Sequence, residues 1–400
     1  MTDLYIALIS DQLLPNLIPA LMEKPPRVLL VSSADMMSKG VPRRLEKILN
    51  KNGMEVEIHT GLPSAGLERI REFALELASE LTDTSITLNA TGGNKLMAIA
   101  FVGVFNDLVS AGKLRIIYTD TAHKVIETLF PPGIPAVPLE AVLDVPAYLA
   151  AQGLTYRRAD SDDERWREKA IARKSLTKYF AQEAHHLGDL FGVLNGLIHG
   201  NGGRGGVLNH NGEQLGAPDQ VFTNTPHGTW KSAMEKIAGA GLVEWSGSKE
   251  LHFNTVDAAR YLSGFWLEEY AWHVARDSGL QDVRCGVEGT WEGGSKQNAP
   301  RNEFDLLAVH DNRLLVIECK TLRLDQGDQL KEQNIVTKLD SLGRNAGGTF
   351  GTSLLLSARS TTKSIQSRCN SLNIPLREAR ALKTLRDDLH AWRDGAMPPA

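Results

Sequence analysis

Through the first 130 positions, short aliphatic and β-branched runs alternate with stretches of helical periodicity. Leu4–Ile9, Val28–Val31, Val56–His59, Ile86–Leu88 and Leu114–Tyr118 read as buried strands. Val41–Leu49, Leu67–Leu81 and Leu96–Val109 carry apolar residues at helical spacing. This alternation predicts βαβ units and a mostly parallel, Rossmann-like sheet. Such sheets bind ligands beyond the carboxyl ends of their strands, which singles out the loops Ser10–Gln12, Ser32–Asp35, Thr60–Gly61 and Asn89–Lys95. Pro131, Pro132, Pro135 and Pro138 mark an exit linker. A charged helical stretch follows over 160–200, then the glycine-rich loop 200–206. A helix at Thr229–Ala240 with strands at Leu242–Trp245 and Glu250–Phe253 has the pattern of the back half of a winged helix. Its helix sets only Lys231 and Lys236 against Glu235, which favours a spacer or dimerisation element over a DNA reader. The remainder predicts a helix over Val256–Arg276, strands at Glu303–Val309 and Leu314–Cys319, a polar helix from about Gln326 to Leu342, and a strand at Ser353–Ser357. The fold class is therefore α/β, with domains expected at 1–150, 160–255 and 256–400.

Composition narrows the class. Four hundred residues exceed one core, and 42% apolar with 23% charged residues is ordinary for a globular chain. The longest apolar run, Leu96–Phe105, is too short for a membrane helix. The N-terminus carries Asp3 and no basic leader, so no secretory signal is expected. Three widely spaced cysteines (Cys285, Cys319, Cys369) exclude a disulfide framework and a Cys-rich zinc site, and point to the reducing cytoplasm. Residues 1–150 hold 13 basic and 17 acidic residues and the rest 31 of each, so nothing here coats nucleic acid by bulk charge. All seven tryptophans lie beyond residue 150, which also separates the two portions.

The strongest chemical signal is Asn302-Glu303-Phe304-Asp305 entering one apolar strand and Glu318-Cys319-Lys320 leaving the next, across the turn His310–Arg313. The two strands should pair as a hairpin. Residues two apart share a face, so Glu318 and Lys320 point together and Cys319 away. Two carboxylates converging in an apolar setting repel unless a cation lies between them, and hard oxygen ligands suit Mg²⁺ or Mn²⁺. The upstream pair Glu268-Glu269 offers a third carboxylate, Glu268 before Glu269. A second signal, Thr91-Gly92-Gly93-Asn94-Lys95, lies between a strand and a helix. It can cradle an anion with backbone N–H groups, yet it is neither a dinucleotide fingerprint nor a Walker loop.

These residues resemble the PD-(D/E)xK nuclease superfamily, with Phe304 in place of its proline. The resemblance implies phosphodiester hydrolysis with Mn²⁺ or Mg²⁺. Glu268, Asp305, Glu318 and the carbonyl of Cys319 would be metal ligands, and Lys320 would serve the nucleophilic water. Together the two halves are similar to CRISPR-associated Rossmann-fold (CARF) effector nucleases, with the middle segment as a winged-helix-like connector. That resemblance implies a homodimer whose sensor loops bind a cyclic oligoadenylate, most often the tetra-adenylate, and whose nuclease domains then cut single-stranded RNA or DNA. The loops would be Ser10, Asp11 and Gln12; Ser32 and Ser33; and Thr91, Gly92, Gly93, Asn94 and Lys95. Two alternatives stand beside this reading: a ligand-responsive DNA-binding regulator, and a repair or restriction nuclease not gated by a cyclic nucleotide.

Overall fold

In this computed structural model the described residues are 2–81, 83–109, 112–200, 205–292, 301–321 and 329–396, with 329–333 described by backbone alone. Gly294, Ser295 and Lys296 of the basic loop before Asp305, residues 201–204 of the glycine-rich loop, and the expected helix start at Gln326 lie outside the described residues. The chain divides into two units, Met1–Thr155 and Tyr156–Ala400.

The first unit follows the alternating pattern. It runs β1 (Leu4–Leu8), α1 (Leu14–Glu23), β2 (Arg27–Ser32), α2 (Ala34–Ser38), α3 (Val41–Lys51), β3 (Glu55–Thr60), α4 (Leu67–Glu80), β4 (Ile86–Asn89), α5 (Lys95–Leu108), β5 (Leu114–Asp120), β6 (Val125–Phe130), β7 (Val137–Pro138) and α6 (Val145–Ala151). The sheet order is β3-β2-β1-β4-β5-β6-β7, parallel through β5 and antiparallel beyond. The central strand β1 is buried along its whole length, which explains its unbroken apolar run. The expected exit linker is instead the sheet's edge: β6 and β7 extend it, and Pro138 is tolerated because an edge strand need not donate on its outer side.

Helix α1 was masked in the pattern by two prolines. Pro15 sits in the first turn, where its missing N–H costs nothing. Pro19 withholds a donor from the Pro15 carbonyl, and that carbonyl instead accepts from Asn89 Nδ2 (3.1 Å) and Thr119 Oγ1 (2.8 Å). The chain leaves β1 in one direction for β2 and β3 and returns beside β1 as β4. The carboxyl ends of β1 and β4 therefore flank the topological switch point.

Strand β8 (Leu154–Ala159) begins two residues before the boundary, and the second unit continues with α7 (Glu164–Ala172), α8 (Lys174–His199), β9 (Asp219–Val221), α9 (Gly228–Gly239), β10 (Val243–Glu244), β11 (Glu250–Phe253), α10 (Val256–Arg260), α11 (Trp266–Asp277), β12 (Asp282–Trp291), β13 (Arg301–His310), β14 (Arg313–Lys320), α12 (Gln329–Gly347), β15 (Gly351–Ser357), α13 (Lys363–Ser371), β16 (Leu376–Arg377) and α14 (Leu385–Arg393). A three-stranded sheet, β10-β11-β9, accompanies α9, and a six-stranded mixed sheet has the order β16-β15-β14-β13-β12-β8. One apolar core runs from Ala170 to Trp392, so the stretch read as a connector packs into the same core as residues 256–400. Trp266 and Trp272 belong to that core.

Two expectations change here. The helix expected over Val256–Arg276 is interrupted by a π-turn at Tyr261–Phe265, where Gly264 adopts φ 152°. A Cβ at Gly264 would lie 2.5 Å from Thr321 Oγ1, so the break lets the helix press against the chain just beyond Lys320. The ten-residue strand β12 was not anticipated, because Gly286 and Gly289 dilute its apolar pattern. Among the described residues, no helix is long and apolar enough to cross a membrane.

Candidate functional site

The β13–β14 hairpin turns through Asp311 (φ 53°) and Asn312 (φ 57°), the left-handed pair that a two-residue turn requires. Its ladder runs from His310–Arg313 to Leu306–Ile317, which sets Asp305 opposite Glu318 one step further on. Directly opposed residues share a face. Lys320 Nζ lies 2.5 Å from Glu318 Oε1 and 3.7 Å from Asp305 Oδ2. The Cys319 N–H donates to Asp305 Oδ2 at 2.6 Å. The Cys319 side chain is buried away from that face, so only its main chain reaches the site.

Burial, and then the charge of Glu318, push the Asp305 carboxyl up to about 6, with Lys320 and the Cys319 N–H pulling the other way. Burial opposes the charge on Lys320, but Asp305 and Glu318 outweigh it and hold the ammonium above its ordinary range. Glu268, in the first turn of α11, is half-buried. Burial raises its carboxyl well above the usual range, the negative charges of Asp305 and Glu303 add to this, and Lys320 opposes it. Glu269 points elsewhere: both its oxygens accept from Arg173 Nε, at 3.0 and 2.9 Å. Of the two adjacent glutamates, Glu268 is thus the one that feels the hairpin.

A hard divalent ion suits carboxylate oxygens, and Asp305 and Glu318 are set opposite each other on one face of the hairpin. In this conformation the Lys320 ammonium supplies the positive charge between them. Among the described residues no three His, Cys, Asp or Glu side chains converge closely enough to grip an ion.

Two further acidic residues lie here, Glu303, which the sequence pattern included without a role, and Asp160, which it did not point to. Glu303 shares the face of Asp305 two residues away. Asp160, just after β8, sets its Oδ2 2.5 Å from where a Cβ of Gly286 would lie. Gly286 falls between the pairs Cys285–Leu306 and Val287–Phe304, opposite Asp305. A glycine inside a strand is a signal of close approach. Nothing in the sequence pointed to Asp160 as the approaching group, because 145 residues separate it from Asp305.

In the first unit the expected ligand loops gather at the switch point. A Cβ on Gly92 would sit 1.8 Å from the Leu8 carbonyl oxygen and 2.7 Å from Asn16 Nδ2, so this glycine lets the β4–α5 loop lie directly on the end of β1. Gly93 has φ 71°. The Thr91 hydroxyl donates to Asn89 Oδ1 (2.5 Å) and accepts from the Thr119 N–H (2.7 Å), which fixes the loop from inside. Asn94 caps α5 through Met97 N (3.0 Å) and donates to the Ser64 carbonyl (2.9 Å). Lys95 is exposed. Ser10 donates to the Gln12 carbonyl at 3.4 Å; Gln12 is exposed. Asp11 pairs with Lys39 at 3.2 Å. Ser32 is buried and donates to the Ser33 carbonyl, while Ser33 caps α2 through Met36 N. Asn89 opens the loop the sequence pointed to, whereas Asn16, Lys39 and Thr119 were not singled out by the sequence.

A Rossmann-like unit with a loop cluster at its switch point, and a separate α/β unit bearing paired carboxylates and a lysine, define a ligand-sensing domain with an endonuclease domain. Residues 4–148 match the family model of the Card1 CARF domain, and residues 255–396 match that of the Card1-like endonuclease domain. The chain belongs to this family of CARF effector nucleases. Among solved structures it is similar to protein VC1899 from Vibrio cholerae (TM-score 0.83, 20% identity, 99% of each chain covered). It is also similar to Can2 from Sulfobacillus thermosulfidooxidans, solved in complex with cyclic tetra-adenylate (TM-score 0.74, 21% identity, 98% of each chain). A type III CRISPR defence DNA nuclease activated by cyclic oligoadenylate matches with TM-score 0.53 and 17% identity, over 90% of this chain and 46% of that one. No curated protein matches the sequence.

Proposed function

We propose that this chain is a cyclic oligoadenylate-activated, metal-dependent endonuclease of the PD-(D/E)xK type. It cuts single-stranded RNA or DNA without sequence preference, as a homodimer, in type III CRISPR antiviral defence. The observation that carries this reading is the Lys320 ammonium within reach of both Asp305 and Glu318, in a chain that also bears a CARF domain. The full-length likeness to a fold solved with cyclic tetra-adenylate supports the choice of activator.

Asp305, Glu318, Glu268 and the Cys319 carbonyl would hold Mn²⁺ or Mg²⁺. Bound there, the ion supplies Lewis acidity to the scissile phosphate and makes a water more acidic. The chain's own groups do the rest. Lys320, held charged by its two carboxylate neighbours, offers N–H donors to a phosphate oxygen where negative charge accumulates during attack. Glu318 aims that ammonium, and the Cys319 N–H fixes the orientation of Asp305. In the sensor, the Ser10–Gln12, Ser32–Ser33 and Thr91–Lys95 loops meet the ligand, and Lys95 adds charge. A two-fold ring suits duplicated loops in a homodimer. The ligand activates only as far as it binds the active arrangement better than the resting one.

The test incubates full-length protein with labelled single-stranded RNA and DNA and Mn²⁺, with and without cyclic tetra-adenylate. Cleavage that needs both Mn²⁺ and the cyclic ligand is expected. Equal cleavage without the ligand would refute gating, and cleavage that survives removal of all divalent metal would refute the metal assignment.

A further inference from the structure

Glu268 and Glu269 are neighbours on α11, about 100° apart around its axis. The rotation of that helix therefore decides which carboxylate meets the hairpin. A π-turn precedes α11, and a helix can slip in phase at such a point. One side chain touches every part of the interrupted helix. Arg173, at the junction of α7 and α8, is buried, and its Nε donates to both oxygens of Glu269 on α11 (3.0 and 2.9 Å), with Nη2 adding a third bond. Its Nη1 donates to Asp257 Oδ2 on α10 at 2.7 Å. Its guanidinium lies over the Tyr261 ring in the turn itself, 4.3 Å from the centroid, and the Tyr261 hydroxyl meets Thr177 Oγ1 of α8 at 2.9 Å. A planar fork bound at both oxygens of one carboxylate fixes direction as well as distance.

The chain on the other side of the turn constrains the same joint. Gly264 has no room for a Cβ against Thr321, the residue after Lys320. A rotation of α11 would therefore disturb the lysine end of β14 together with Glu268.

We propose that Arg173 is a positioning residue that sets the rotational phase of α11, so that Glu268, and not Glu269, is turned toward the Asp305–Lys320 end of the hairpin. This rests on the nuclease reading above. It assigns a role in the active site to a residue outside 255–396, the span matched by the endonuclease family.

The test separates positioning from stability. Arg173→Met with Glu269→Leu replaces the buried pair by apolar groups of similar size, an exchange that need not destabilise. Arg173→Lys keeps the charge and loses the fork, and it carries the test should the double variant fail to fold. Full-length variants are assayed with cyclic tetra-adenylate, Mn²⁺ and labelled single-stranded DNA, alongside thermal melting and Mn²⁺ binding followed by the free-ion electron paramagnetic resonance signal. In a folded variant the expected result is kcat lower by about tenfold or more, KM within about twofold, and weaker Mn²⁺ binding. Parental kcat or parental Mn²⁺ binding in a folded variant overturns the proposal. Glu268→Gln tells the two failures apart. If it cuts at the parental rate, the role given to Glu268 fails; if it is inactive while the Arg173 variants cut normally, only the positioning role fails.

Discussion

Replacing Lys320 by alanine tests both the charge balance and the chemistry of the hairpin. The parent holds one ammonium 3.7 Å from Asp305 and 2.5 Å from Glu318, on side chains 28%, 17% and 14% exposed. Without it, two carboxylates face each other. Asp305 can escape by protonation. With its carboxyl already at about 6, neutralising it at pH 7 costs about 1.4 kcal/mol at most, and less once Lys320 no longer pulls it down. Glu318 loses a charge-assisted hydrogen bond, about 1.5–3 kcal/mol. The variant should therefore remain folded, about 3–4 kcal/mol less stable at pH 7. At pH 5.5, where Asp305 is mostly protonated in both proteins, the loss should shrink by about 1 kcal/mol. Urea unfolding followed by tryptophan fluorescence reads this directly, because all seven tryptophans lie in the second unit. Cleavage with saturating Mn²⁺ and cyclic tetra-adenylate should fall by about 100-fold or more, the scale of removing a donor aimed at developing charge. A variant that cuts at the parental rate, or whose stability loss is the same at both pH values, refutes the reasoning.

His273 gives a separate pH prediction. It is buried, its Nε2 meets the Ala170 carbonyl at 2.9 Å, and burial lowers its pKa to about 4. The unfolded chain takes up a proton near pH 6.5 that the folded one refuses, so stability falls with acidification between about 6.5 and 4. Raised carboxyls such as Asp305 act in the opposite direction over the same range, so the His273 contribution is read as a difference: the stability of the parent relative to His273→Gln should fall by about 2 kcal/mol between pH 7 and 5 in urea unfolding followed by tryptophan fluorescence. Gly92→Ala forces a methyl to 1.8 Å from a backbone oxygen that cannot swing aside; melting of the first unit should drop by the equivalent of about 1–3 kcal/mol, with loss of cyclic tetra-adenylate binding in calorimetry. Lys95→Ala, on an exposed side chain, should leave melting unchanged and weaken that binding about tenfold.

Strands β1–β5 and helices α3–α5 of the first unit were legible because alternating strands and amphipathic helices write their burial into a local apolar pattern. The hairpin was legible for the same reason, since two apolar strands around a short polar turn leave one pairing that keeps Asp305 and Glu318 on one face. Helix α1 was hidden because its proline is made harmless by Asn89 and Thr119, more than 70 residues away. Strand β12 was hidden because Gly286, which dilutes its apolar pattern, answers to Asp160 rather than to a local rule.

Local sequence thus determined the residue types available for chemistry and the face of the strand each occupies. Tertiary structure decided which of two adjacent glutamates meets the hairpin, because the phase of a helix is set by what grips it, here an arginine 96 residues away. It also decided what the glycine loop approaches: Gly92 packs on the carbonyl of Leu8, a contact that exists only once β4 has returned beside β1.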